Sequence, residues 1–357
     1  MIFTNSTLTV SKIDMADKLI QDIPFSILDL APITEGNNAG VTFKNSLRLA
    51  QRVEELGYKR YWLAEHHNME SVASSATSVL IGYIAGGTKT IRVGSGGIML
   101  PNHAPLVVAE QFGTLASLYP DRIDLGLGRA PGTDQITARA LRRNYMESAQ
   151  DFPDDVIALQ TYFSKENSSS KVRAIPGEGL EIPIWILGSS TDSAQLAAHL
   201  GLPYAFASHF APNHFLTAID LYRRNFRPSR YLAQPYVMAC VNVIAADTNQ
   251  EAERLATSFF QLATGIITGK RRPLQPPVES MDGLWGEYEE AAVRQMMKYT
   301  FIGDRKKVGS DLAYFQKRTQ LDELMVTSHI YDPEARIHSY EVLKSIQSER
   351  KEGNVRV

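Results

Sequence analysis

Phe43-Lys44-Asn45-Ser46-Leu47-Arg48-Leu49-Ala50-Gln51-Arg52-Val53-Glu54-Glu55-Leu56-Gly57-Tyr58-Lys59-Arg60-Tyr61-Trp62-Leu63-Ala64-Glu65-His66-His67 contains one complete structural unit of this chain. A helical pattern runs from Phe43 to Leu56 and stops at Gly57, and the short apolar run Arg60 to Ala64 then reads as a strand that discharges into polar residues. The same alternation extends in both directions. Upstream, Ile23 to Leu28 is a strand. Downstream, a helix over Ala76 to Gly86 leads to the strand Ile91 to Leu100, and a helix over Pro105 to Leu118 leads to Ile123 to Leu127, which ends in Gly128-Arg129-Ala130-Pro131-Gly132.

After helical stretches that include Asp155 to Phe163, Lys165 to Ser170 reads as an exposed loop. The strand Ile184 to Leu187 passes through Gly188-Ser189-Ser190 into a helix over Ser193 to Leu200. The strand Tyr204 to Ala207, a helix over Asn213 to Phe226 and the strand Pro235 to Ala245 follow. Thr268 to Ser280, with Pro273, Pro276 and Pro277, reads as an insertion, and the strand Glu323 to Thr327 and helix Glu334 to Ser348 complete the set. Alternating strands and helices imply βαβ crossovers and a parallel sheet. Eight such units predict an α/β fold, a single closed (β/α)8 barrel over residues 23–350 with insertions near 144–180 and 264–300; such barrels use about 250 residues or more. Residues 1–22 are expected to be a mobile extension, with Met15 as an alternative start.

Of 357 residues, 44% are hydrophobic and 21% charged, a balance that excludes a disordered chain. The net charge of −2 offers no basic surface to displace phosphate counterions, so nucleic acid is not expected as a partner. The single cysteine, Cys240, forms no intramolecular disulfide, builds no thiolate metal site and reads as a buried inert thiol. No membrane span or secretion signal is read, and the cytoplasm is the expected compartment.

In a closed parallel barrel, chemistry gathers where the strands end. There lie Glu65, His66, His67 and Asn68 after the second strand, Pro101, Asn102 and His103 after the third, Arg129 after the fourth, and Gly188, Ser189 and Ser190 after the fifth. His66 and His67 point to opposite sides of an extended chain and cannot readily share one ion, so no metal is expected. Gly126-Leu127-Gly128-Arg129-Ala130-Pro131 has proline at the last glycine position of a dinucleotide fingerprint, which weakens that reading. Arg129 could pair bidentately with a phosphate or join an ordinary surface ion pair. Gly188-Ser189-Ser190 opens a helix, whose free amides suit a phosphate but are equally served by a serine cap. Considered together, Arg129 and this turn make a phosphorylated cofactor plausible. Gly96 and Gly97 interrupt a good strand, either to let a flat ring approach or to accommodate barrel packing.

The runs Tyr61-Trp62-Leu63-Ala64-Glu65-His66-His67-Asn68, Val93 to His103 and Arg122 to Gly132 resemble the bacterial luciferase-like flavin monooxygenases, most closely the uncharacterised luciferase-like monooxygenases of bacterial genomes. The resemblance covers roughly Ile23 to His338. It implies a TIM barrel that uses FMN, delivered reduced by a separate flavin reductase, to activate O2 at the flavin C4a position and oxygenate an organic substrate. Carried over, His66 is the catalytic histidine, Arg129 and Ser189 hold the flavin phosphate, and Gly96-Gly97 is a non-prolyl cis peptide beneath the isoalloxazine. Gly188 and Asp192 depart from the luciferase alpha subunit, which has glutamate and threonine there. Aldehyde contacts and light emission do not carry over. The resemblance also implies a homo-oligomer, most simply a dimer, and the Thr264 to Asp282 insertion is either a lid or a surface loop. Three competing readings stand beside this one: a deazaflavin-dependent dehydrogenase of the same superfamily, a non-catalytic flavin-binding homologue and a metal-dependent barrel hydrolase.

Overall fold

A computed structural model describes residues 17–141 and 149–348. Its strands are β1 (Phe25–Asp29), β2 (Arg60–Leu63), β3 (Arg92–Ser95), β4 (Ile98–Met99), β5 (Ile123–Gly128), β6 (Ile184–Gly188), β7 (Tyr204–Phe206), β8 (Val237–Ala245), β9 (Thr300–Gly303) and β10 (Glu323–Thr327). The pairing order β10-β1-β2-β3-β5-β6-β7-β8 is closed by parallel pairing of β8 with β10, which makes an eight-stranded (β/α)8 barrel. The predicted fold is therefore present, and each predicted barrel strand lies within a few residues of an observed one. β4 continues the line of β3 and pairs with β5.

Alternation along the strands divides the apolar residues between two faces. Phe25, Ile27, Tyr61, Leu63, Val93, Leu125, Ile186 and Val326 face outward into one large core shared with the helices. Leu28, Trp62, Trp185, Met238, Cys240 and Met325 fill the barrel interior. Beneath them Arg60, 7% exposed, is held between the fully buried carboxylates of Asp124 at 2.6 Å and Glu323 at 2.9 Å, and its guanidinium lies 4.8 Å from the Trp185 ring. The interior is thus plugged at its lower end.

The structure adds detail to two expectations. The stretch 264–300, read as an insertion, holds helical structure. It contains the end of a helix, Asn249–Ile267, and a second helix, Glu287–Met296, that packs on the first. β9 and the helix Arg305–Thr319 complete an additional strand-helix unit on the outer half of β8. Residues 17–22, read as part of a mobile extension, belong to the folded body. Residues 1–16 and 142–148 lie outside the described residues, but Ile20 is buried and the Lys18 amide donates to Gln320 Oε1 at 2.9 Å, so this segment packs against the barrel. Among the described residues no helix is long and apolar enough to cross a membrane.

Candidate active site

The loop after β2 is built around a carboxylate to which the sequence reading assigned no role. Glu65 is 1% exposed, and its oxygens accept from the Met99 amide at 3.0 Å and Asn102 Nδ2 at 3.2 Å. They also meet His67 Nε2 and His103 Nε2, each at 2.9 Å. Burial raises its pKa, but the bonds from His103 and His67 outweigh that and hold it down at about 2. One anion therefore ties together the loop after β2, β4 and the short 3-10 turn Leu100–Asn102.

Glu65 turns away from the barrel axis, so its neighbour turns inward. His66 continues the inward series Arg60, Trp62 and Ala64. Its amide donates to the Ser74 carbonyl at 2.9 Å, which fixes the loop, while its Nδ1 is buried without a hydrogen-bond partner. Burial pushes the imidazole pKa down to about 4 despite the adjacent Glu65, with His67 and Arg271 lowering it further. The side chain is thus an uncharged base at neutral pH with a free nitrogen. Arg271 comes from the proline-rich segment after the helix Asn249–Ile267. That segment is fastened beside the mouth by Leu274, which donates to the Ile33 carbonyl at 2.8 Å and accepts from the Glu35 amide at 2.9 Å.

On the adjoining side, β5 ends at Gly128 and β6 at Gly188. Arg129 is half exposed and its side chain lies 3.7 Å from Asp192, a loose surface contact in the first turn of the helix Thr191–Leu200. Ser190 caps that helix by accepting from the Ser193 amide. Of the two readings of this serine, the cap is the one visible. A Cβ at Gly188 would run into the Ser193 side chain, so this glycine serves helix packing directly. Ser189 lies partly buried between the two.

The Gly96–Gly97 peptide is cis, as the resemblance implied. A Cβ on Gly97 would stand 2.8 Å from the Gly126 carbonyl oxygen, and one on Gly96 would stand 2.6 Å from Leu28 Cδ1. Strand β5 and the interior side chains therefore account for both glycines through packing. Cys240 is buried and free, and burial pushes its thiol well above the ordinary range.

The sequence reading missed the far side of the mouth. The inward series of β8 and β10 continue from Cys240 to Asn242 and from Met325 through Thr327 to His329, and the loop after β7 brings in His209. All four are at least nine-tenths buried. Following the two-residue period along each strand and past its end would have found them.

The comparisons agree with this architecture. Residues 23–319 match the family model described as luciferase-like monooxygenase, and the chain belongs to that family. Uncharacterized protein YvbT of Bacillus subtilis (strain 168) is 54% identical over 337 residues, covering 94% of this chain and 100% of that protein. The luciferase-like monooxygenase of Escherichia coli (strain K12) is 52% identical over 335 residues, covering 94% and 99%. Among solved structures, apo-MsnO8 superposes with a TM-score of 0.82 at 33% identity, covering 91% of this chain and 98% of its own.

Proposed function

We propose that this chain is an FMN-dependent monooxygenase that receives reduced flavin from a separate reductase and uses O2 to oxygenate a small organic substrate at the upper end of the barrel. The observation that carries the reading is His66, an inward-facing, uncharged imidazole whose buried Nδ1 lacks a partner at the mouth of a luciferase-like barrel. A buried polar atom left unsatisfied costs stability, and a bound group that supplies its hydrogen bond explains its retention.

The phosphate side also fits. Among the described residues Arg129 has only the distant Asp192 as an ion-pair partner, and it stands beside a helix start whose amides carry partial positive charge. In this reading Arg129 and the Ser189 and Ser190 backbone hold the phosphate, and the Gly96-Gly97 segment, without side chains, borders the ring system. When bound, the flavin supplies the redox chemistry with O2. The protein's part is to orient it, to exclude water with Trp62, Leu28 and the Leu274 segment, and to exchange a proton at His66. Glu65 acts through its neighbours, holding the loops that carry His66 and the end of β4. The monooxygenase description of the family favours oxygen chemistry over hydride transfer to a deazaflavin.

The absorption spectrum and mass of the cofactor that copurifies, followed by O2 uptake with reduced FMN, test the reading; a deazaflavin spectrum without O2 uptake would overturn it. Arg129→Ala should weaken FMN binding about ten-fold or more, since a charge-assisted hydrogen bond contributes roughly 1.5–3 kcal/mol. Equal FMN affinity of the variant in a fluorescence titration would remove Arg129 from the phosphate site.

A further inference from the structure

Across the mouth from Arg129, the barrel holds a second group of polar side chains that the reading above leaves unused. Among the described residues the buried atoms without partners include His209 Nδ1, His329 Nδ1, Asn242 Oδ1 and Thr327 Oγ1. Exposures of 8% for His209, 6% for His329, 1% for Asn242 and 0% for Thr327 put all of them out of bulk water. Such concentration is not an accident of one loose side chain, because the four come from three consecutive barrel strands or their loops. Asn242 and Thr327 stand opposite each other in the β8–β10 ladder. Asn242 Nδ2 is already spent on the His209 carbonyl, at 2.6 Å, which turns its Oδ1 away as a free acceptor.

The two imidazoles are fixed. His329 stacks on Phe259 at 4.5 Å and 16°, and His209 meets the edge of Phe210 at 4.8 Å and 85°. His209 lies within electrostatic reach of both His66 and His329, so the group adjoins the proposed catalytic histidine. Among the described residues no three His, Cys, Asp or Glu side chains are arranged to hold a metal ion.

We infer that His209, Asn242, Thr327 and His329 form the subsite that recognises the substrate, and that it takes an uncharged hydrogen-bonding group, such as an amide or hydroxyl, attached to an apolar body. The inference rests on the proposed monooxygenase reading for the identity of the site as a substrate site. Uncharged recognition follows from what surrounds the group. Burial holds His209 and His329 near a pKa of about 3, so both are neutral at pH 7, and the unpartnered Nδ1 of each is a donor or an acceptor according to the tautomer. The cation whose field reaches His329 is Arg336, which is already paired with Asp29 at 2.8 Å, whereas Arg271 acts on His66. Among the described residues a carboxylate beside these two imidazoles would find no unpaired countercharge, whereas a neutral amide satisfies donors and acceptors together. Phe259 and Phe210 supply the apolar wall. Sites that hydrogen-bond their ligand discriminate sharply against analogues lacking the group, because the protein's own polar atoms are then left unpaired.

Four probes that share one ring test this directly: benzamide, benzyl alcohol, benzoate and toluene, titrated by NMR into the full chain at pH 7.5 with saturating FMN. Benzamide and benzyl alcohol should bind at least ten-fold more tightly than benzoate or toluene, and should shift the Nδ1 resonances of His209 and His329. His209→Phe and His329→Phe should each reduce that preference about ten-fold, equivalent to about 1.4 kcal/mol, while His329→Gln retains most of it. FMN affinity, titrated separately, should be unchanged in all three. Tightest binding of benzoate, a preference unaltered in the variants, or no binding of any probe would overturn the inference. If a Phe variant does not fold, the histidine shifts in the unaltered protein decide: their absence with benzamide overturns it. Should FMN itself fail to bind, the monooxygenase reading falls, while the order of probe affinities without FMN still tests the subsite.

Discussion

His66 sits between two opposing influences, a buried surface that disfavours its cation and a neighbouring carboxylate that favours it. Burial wins, with the pKa at about 4. If the reaction uses the neutral imidazole as a base, activity that depends on His66 should stay flat from about pH 5.5 to 8 and fall below, with an apparent pKa near 4. A pH-rate profile of O2-dependent turnover for the unaltered chain and His66→Gln checks this. The variant should lose roughly 10²–10⁴-fold, the usual contribution of a positioned acid or base, and should lack the acid limb. An apparent pKa near 6.5 would mean that the imidazole is solvated in the working enzyme. His66 was legible in the sequence because it follows a strand within a distinctive motif. The role of Glu65 was not, since its partners Met99, Asn102 and His103 are brought to it only by the closure of β2 against β3.

At the scale of elements, that carboxylate is the fastener between the loop after β2 and the end of β4. Glu65→Gln preserves shape but removes the charge and turns one acceptor into a donor facing the Met99 amide or a histidine. The loss should be on the order of 1–3 kcal/mol, the cost of leaving a buried partner unsatisfied. Urea unfolding at pH 7 reads it directly, and a change below about 0.3 kcal/mol would mean the loops are held by packing alone. Barrel strands were legible because each is a short apolar run bounded by turn residues. β9 was not, for Thr300 to Gly303 is short, only partly buried over most of its length and outside the barrel closure. The helix Asn249–Ile267 ends against the proline-rich stretch Thr268 to Ser280, which was read as an insertion, and Arg305–Thr319 was assigned to no unit because its strand, β9, went unread.

Across the whole molecule, a buried ion pair joins the first barrel strand to the helix Pro333–Ser348. Asp29 at the end of β1 is fully buried and accepts from Arg336 Nη2 at 2.8 Å, from Ser46 Oγ at 2.6 Å and from Tyr61 OH at 2.5 Å. Arg336, on the helix Pro333–Ser348, also donates to the Ser328 carbonyl at 2.9 Å. Burial alone would raise the Asp29 pKa, but Arg336 and the two hydroxyls more than offset it and leave the pKa lowered. In the unaltered chain this group therefore contributes stability above the unfolded carboxyl pKa, and that contribution is lost as acid protonates it. Arg336→Met reverses the sign. The carboxylate is left buried with no cation, its pKa rises above the unfolded value, and protonation then relieves the fold. The variant should be about 3–5 kcal/mol less stable than the unaltered chain at pH 7.5, as for other buried pairs broken on one side. Because His66, His209 and His329 take up protons on unfolding between their lowered values and about 6.5, both proteins lose stability on mild acidification, and the informative quantity is the difference between them. That difference should shrink between pH 7.5 and pH 5, measured by urea unfolding at each pH. A gap that stays constant would mean that Asp29 remains ionised without Arg336, held by Ser46 and Tyr61, and that the arginine's contribution is the packing of its helix.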